Sequence, residues 1–147
     1  MKMQPAAYFD SSVLVKIYVR EDGSAKARSL VRARQVITSS IAPLELVSAF
    51  RRNLTARSID ERLHSAIVKR FLLHREKWRY VELTPACLEN AEKYVSDFDV
   101  RALDAIHVAS AMISRGRFPK GLPFITADVR QRAVAVDLGL DVISVEG

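Results

Sequence analysis

A parallel α/β sheet carrying helices on both faces is the fold class the sequence predicts, on three observations. Short apolar runs alternate with longer helical patterns along the chain, as strands joined by helical crossovers do. The 147 residues suffice for one domain that buries a core without disulfide or metal staples. Hydrophobic residues make up 49% and charged residues 27%, a balance that suits a globular chain and not a disordered one.

The elements follow in order. Ala6–Phe9 reads as a short strand ending at Asp10-Ser11-Ser12. Helical patterns span Ser12 to Arg20 and Ser24 to Arg34, divided by Glu21-Asp22-Gly23, and Val36–Thr38 is a second strand. Pro43 suits the first turn of a helix, and Leu46, Val47, Phe50 and Leu54 follow at helical spacing. Asp60 caps a long helix with Leu63, Ile67, Phe71, Leu72 and Trp78 as its apolar positions. Tyr80–Leu83 is a third strand, and Thr84-Pro85 opens a helix to about Phe98. A further helix runs from Arg101 to Ser114 and stops before Gly116 and Pro119. Leu122–Thr126 is a fourth strand, Val129–Leu138 a helix and Asp141–Val145 a fifth strand. The strandless stretch from about residue 42 to 79 is a helical insert that departs from a simple doubly wound order. With no repeat or linker, residues 1–147 read as a single domain.

Composition excludes several functions. One cysteine, Cys87, rules out an internal disulfide or a CxxC zinc knuckle, and three histidines leave little for a His-rich zinc site. No uncharged apolar run approaches the ~18 residues of a membrane span. The apolar stretch before Asp10 is too short for a secretory signal, so a soluble cytoplasmic protein is expected. The 23 Lys and Arg outnumber 17 acids, and 16 of the cations are Arg, whose planar fork grips phosphate. A polyanionic partner is the expectation.

Four acids stand out. In open parallel sheets ligands bind beyond the carboxyl ends of the strands. Asp10 follows the first strand there and Asp128 the fourth, although each is also a natural helix N-cap. Glu45 sits in a first turn, where a carboxylate is favoured even when merely solvated. Asp104 opens the run Ala102–Ile113, which is apolar except for Asp104, His107 and Ser110. A helix so apolar is buried, and an uncompensated carboxylate on it costs several kcal/mol. The plain alternative is a narrow solvent stripe of Asp104, His107, Ser110 and Ser114. Four carboxylates at one edge would repel one another unless a cation lay between them. Hard oxygen ligands without cysteine or a histidine pair point to Mg²⁺ or Mn²⁺. Such a cluster would polarise a phosphate and acidify water, with Ser11, Ser12 and Thr126 orienting the carboxylates. Metal-dependent phosphodiester hydrolysis is the reading these residues support.

Asp10-Ser11-Ser12, Glu45 in Pro43-Leu-Glu-Leu46, Arg101-x-x-Asp104-Ala-x-His107-x-Ala109 and Thr126-Ala-Asp128 together resemble the PIN-domain signature. The chain looks like a stand-alone VapC-type toxin ribonuclease of a type II toxin–antitoxin system. The resemblance covers essentially the whole chain, and no acid of the pattern is missing. It implies a three-layer α/β/α fold, mainly parallel, with endonucleolytic cleavage of RNA using Mg²⁺ or Mn²⁺ and inhibition by a small cognate antitoxin. By the same resemblance Asp10 and Asp104 are the main metal ligands, with Glu45 and Asp128 completing the catalytic pocket.

The other candidates are weighed against plainer readings. His107, three residues after Asp104, could face the same site as a ligand or base, but the preferred reading is a packing histidine bonded to a neighbour, since hard-metal hydrolysis needs no imidazole. Cys87 reads as a small apolar residue. From Arg51 to Arg79 nine cations face three acids, which suits either a solvated helical pair or an RNA-backbone track beginning with Arg51, Arg52 and Arg57. Val13, Leu14, Ile17, Tyr18, Leu30 and Val31, with Leu63, Ile67, Phe71, Leu72 and Trp78, exceed what one sheet face needs. They predict an exposed groove for an amphipathic antitoxin segment, with homodimerisation through another surface. A PIN nuclease of RNA maturation and a non-catalytic nucleic-acid-binding module are the rival readings. A phosphoacceptor receiver domain fails because no acidic pair precedes the acceptor strand near Asp10.

Overall fold

The computed structural model describes residues 4–145. Its strands are β1 (Ala6–Phe9), β2 (Gln35–Ser39), β3 (Arg79–Val81), β4 (Phe124–Thr126) and β5 (Val142–Ser144). They form one sheet in the order β3-β2-β1-β4-β5, and all four pairings are parallel. The helices are α1 (Ser11–Lys16), α2 (Ser24–Ala33), α3 (Ala42–Thr55), α4 (Glu61–Arg75), α5 (Pro85–Asp97), α6 (Ala102–Ser114) and α7 (Val129–Asp137).

Strand periodicity builds the three layers. Successive side chains on a strand point to opposite faces, so Ala7 and Phe9 of β1 enter one apolar cluster and Tyr8 the other. Val36 and Ile125 join the first cluster, and Ile37 and Phe124 the second. The first cluster is closed by α1 to α4, through Val13, Leu14, Leu46, Phe50, Ile67 and Phe71. Phe50 and Phe71 pack edge-to-face at 5.6 Å, and burying either ring contributes about 1.5–3 kcal/mol. The second cluster is closed by α5 to α7, with α6 lying deepest, every residue from Ala105 to Ala111 being buried. The helical insert is thus α3 and α4, a packed pair covering one face.

The structure revises some details. The helix expected from Ser12 to Arg20 ends at Lys16, where the chain turns, so that Gly23 (φ +88°) can precede α2 in the left-handed region that glycine tolerates. The expected apolar groove divides. Val13, Leu14, Ile17, Tyr18, Ile67, Phe71 and Trp78 are core, whereas Leu63 and Leu72 lie exposed on α4. The apolar excess serves one helical layer packed against a sheet, which needs more surface than a period count suggests. The solvent stripe is also excluded: His107 and Ser110 are fully buried and Ser114 nearly so. Cys87 is buried as expected, with its Sγ 3.5 Å from Ser110 Oγ.

Candidate active site at the carboxyl edge of the sheet

The strand order reverses beside β1, which pairs with β2 on one side and β4 on the other. Beyond the carboxyl ends of β1 and β4 lies the crevice where open α/β sheets bind ligands. Asp10 leaves β1 there and Asp128 follows β4. Both cap helices, as short acceptors between strand and helix do. Asp10 accepts from the Ser12 backbone N–H of α1, and Asp128 accepts from the Gln131 N–H of α7 at 2.8 Å. Capping and chemistry therefore share the same carboxylates.

Asp10 is almost wholly buried, and both oxygens of its carboxylate accept hydrogen bonds. Oδ2 accepts from the Ser12 backbone N–H at 3.1 Å and from the Ser12 hydroxyl, and Oδ1 accepts from Gln131 Nε2 at 3.2 Å. The Ser12 Oγ also accepts from the Ala127 N–H at 3.3 Å, tying the end of β1 to the end of β4. His107, on α6, stands between two acids: its Nε2 is 2.6 Å from Glu45 Oε1 and 3.6 Å from Asp10 Oδ1. Its Nδ1 lies 2.7 Å from the Tyr8 hydroxyl. The hydroxyl donating to Nδ1 leaves Nε2–H to donate to Glu45, a tautomer that satisfies every partner. Burial works against protonation of His107, but Asp10 and the bond to Glu45 outweigh it and raise its pKa.

Asp104 is half-buried one turn before His107. Its pKa is pushed up to about 6, first by burial and then by the neighbouring carboxylates of Asp10 and Asp128, with Glu45 adding a little. All four predicted acids therefore sit within one electrostatic field. Among the described residues, no three His, Cys, Asp or Glu side chains form a ready-made metal cage. The acids are instead cross-linked through His107 and Gln131. The donor set still fits a hard divalent cation, because an ion is what relieves a carboxyl held up by other carboxylates.

The hydroxyls divide. Ser12 bonds Asp10 directly. Thr126 donates to Gln131 Oε1 at 2.6 Å and accepts from the Asp128 N–H at 3.0 Å, so it reaches Asp10 only through Gln131. Ser11 is buried but makes no hydrogen bond to the acids among the described residues. Arg51 and Arg52 are exposed on the last turns of α3, Arg52 donating to Ser48 Oγ, and Arg57 (φ +60°) lies just beyond the helix. The structure does not bring these three cations to the acids.

Sequence reasoning overlooked Gln131 and Tyr8. Gln131 is fully buried and joins four elements, since its Nε2 also donates to the Asp104 carbonyl at 3.1 Å. Its one local sign was a glutamine at the third helical position after an acidic N-cap, which reads equally as a capping residue. His107 is the bonded packing histidine expected of it, yet the neighbours it bonds are the acids themselves.

A parallel sheet with acids gathered at its switch-point crevice is an α/β arrangement whose carboxylates suit a hard divalent cation. The chain belongs to the PIN-domain family: the family model matches residues 7–137. It is 33% identical to ribonuclease VapC46 of Mycobacterium tuberculosis (strain ATCC 25618 / H37Rv) over 144 residues, spanning 95% of this chain and 97% of that one. Among solved structures, its fold is similar to a toxin–antitoxin complex from Klebsiella pneumoniae, with TM-score 0.67, 17% identity and coverage of 94% and 96% of the two chains. FitAcB from Neisseria gonorrhoeae is similar at TM-score 0.69 and 14% identity, covering 93% and 96%. Nucleases of this family generally depend on a divalent metal. No helix among the described residues is long and apolar enough to cross a membrane.

Proposed function

We propose that this single-domain protein is an Mg²⁺-dependent endoribonuclease, with Mn²⁺ able to substitute, and the toxin of a toxin–antitoxin pair. The observation that carries the reading is the gathering of acids at the switch-point crevice, where His107 lies between Asp10 and Glu45 and Gln131 ties Asp10 to the Asp104 and Asp128 segments; burial and these neighbours raise the Asp104 carboxyl to about 6. The relationship to ribonuclease VapC46 supports RNA as the substrate. The resemblance to toxin–antitoxin complexes supports a protein antitoxin, and a homodimer through a separate surface is part of the same proposal.

Asp10 and Asp104 would hold the cation, which would supply Lewis acidity toward a phosphate oxygen and toward water. Ser12 and Gln131 fix the Asp10 carboxylate, so that its orientation is set before substrate arrives. Glu45 is less buried than Asp10, with its side chain 22% exposed and one oxygen anchored on His107. Its other oxygen would help position the attacking water or a second ion. Asp128, fixed by its capping bond, adds negative potential at Asp104.

The test is RNA cleavage with Mg²⁺, with Mn²⁺ and with excess chelator. Fragments that accumulate equally in chelator, or RNA that is bound but never cut, would overturn the reading. Co-expression of a small adjacent partner that suppresses cleavage supports the toxin assignment; a nuclease insensitive to any such partner would instead be an RNA-maturation enzyme.

A further inference from the structure

The edge of the sheet opposite the acids is basic. The amino ends of four strands open there into two adjoining clefts. One, of about 370 Å³, lies below β1 and β2 and is lined by Arg28, Arg32, Arg34, Arg70 and Lys77, over an apolar floor that includes Val36 and Trp78. The other, of about 750 Å³, continues below β1, β3 and β4 and is lined by Arg34, Arg79 and Lys120. The two share Gln4, Arg34 and Gln35, so they form one path across the sheet. Among the described residues seven cations border it and no acid does. None of the seven takes part in a salt bridge among the described residues.

Seven like charges gathered without a counter-charge repel one another, and an anionic partner relieves them. Five are arginines, whose fork matches a phosphate better than a lysine does. A compact anion would need one cleft. A continuous path fits a polymer that carries a charge at every unit.

We propose that this path is a second RNA-binding track, which holds the phosphate backbone of the substrate away from the acidic crevice. The inference rests on the reading of RNA as the substrate. β1 separates the two edges by four residues, on the order of 13 Å at ~3.3 Å per residue. A long RNA that passes round the sheet engages both, and a short oligonucleotide in the crevice engages only the acids. The track therefore sets affinity for long RNA and leaves the chemical step alone.

The test is the triple variant Arg32→Gln, Arg34→Gln and Lys120→Gln in the full chain, with circular dichroism melting to confirm its fold. The probes are a forty-nucleotide single-stranded RNA and a six-nucleotide fragment containing the cleavage position. For the long RNA, the log–log salt slope of binding falls by about 2, since each phosphate held on a single strand contributes ~0.7. KM for the long RNA rises by at least about tenfold while kcat stays, and both constants for the short fragment stay. An unchanged salt slope overturns the track, and so does an equal KM rise for both RNAs. Loss of binding to polyglutamate with RNA affinity intact would assign the path to an acidic protein segment and also overturn it. Should the wild-type chain cut no RNA at all, the ribonuclease reading fails, while the binding slope still reports on the track.

Discussion

The two edges of this sheet, four residues apart along β1, solve opposite electrostatic problems. At the carboxyl edge four acids are gathered, and the protein contains their repulsion from within: Gln131 and Ser12 donate to Asp10, and His107 lies between Asp10 and Glu45. At the amino edge seven cations are gathered, and the described residues offer them no counter-charge. The difference follows from burial. Asp10 and His107 are out of water, where an unpaired charge costs several kcal/mol, so their partners must be built in. Arg32, Arg70, Lys77, Arg79 and Lys120 are exposed, where solvent and salt screen them. An interlocked site positions chemistry, and an open one tunes affinity.

The largest effect expected from breaking the acidic edge is at Asp104. Asp104→Asn is nearly isosteric and removes one charge, so cleavage should fall by on the order of 10²–10³-fold or more. Without divalent ions the variant should melt a few degrees higher at pH 7, because the charge it loses is repelled in the folded state. A variant that melts lower and still cuts RNA would make Asp104 a satisfied structural acid.

Gln131 tests whether the cross-linking is real. Gln131→Leu leaves Asp10 Oδ1 without a donor and the Asp104 carbonyl without its bond, a loss of about 1–3 kcal/mol for a buried unsatisfied group. Denaturant unfolding measures it. Gln131→Glu, which adds a fifth acid, should be worse than the leucine at pH 7 and recover toward pH 5. If the two variants behaved alike at both pH values, the glutamine would be acting by shape alone.

Stability of the chelator-treated protein should depend on pH in the same sense. The folded protein holds the Asp104 proton more tightly than the unfolded chain, with a pKa near 6 against 3.8. Its contribution is greatest below the unfolded value and is lost as pH rises from about 4 through 6. His107, raised above 6.5, acts in the same direction at higher pH. Melting temperature should thus decline from pH 5 to 7.5, and saturating Mg²⁺ should flatten the decline. A profile that rises over that interval contradicts the coupling.

The smallest effect concerns the exposed cations beyond the track. Reversing Arg51, Arg52 and Arg57 to Glu should weaken RNA binding and lower the salt slope by ~0.7 for each phosphate these side chains neutralise, with melting unchanged. Filter binding across a salt series reads it. A flat response here, beside a clear one at Arg32, Arg34 and Lys120, would place the backbone path at the amino edge alone.

The sequence by itself determined most of the fold. Its strands are short apolar runs, its helices carry caps such as Asp10, Asp60, Thr84 and Asp128, and these local signals survived folding because tertiary packing agreed with them. The four acids were legible too, since a carboxylate on an apolar helix or just past a strand departs from its surroundings. Only the tertiary structure decided what lies between them. Gln131 meets Asp10 across 121 positions of chain, and Tyr8 meets His107 across 99. No periodicity encodes such a contact, because a buried glutamine and a capping glutamine look alike until the elements pack. The basic path was hidden for the same reason: Arg34, Arg79 and Lys120 are scattered in sequence and become neighbours only because parallel strands bring all their amino ends to one edge.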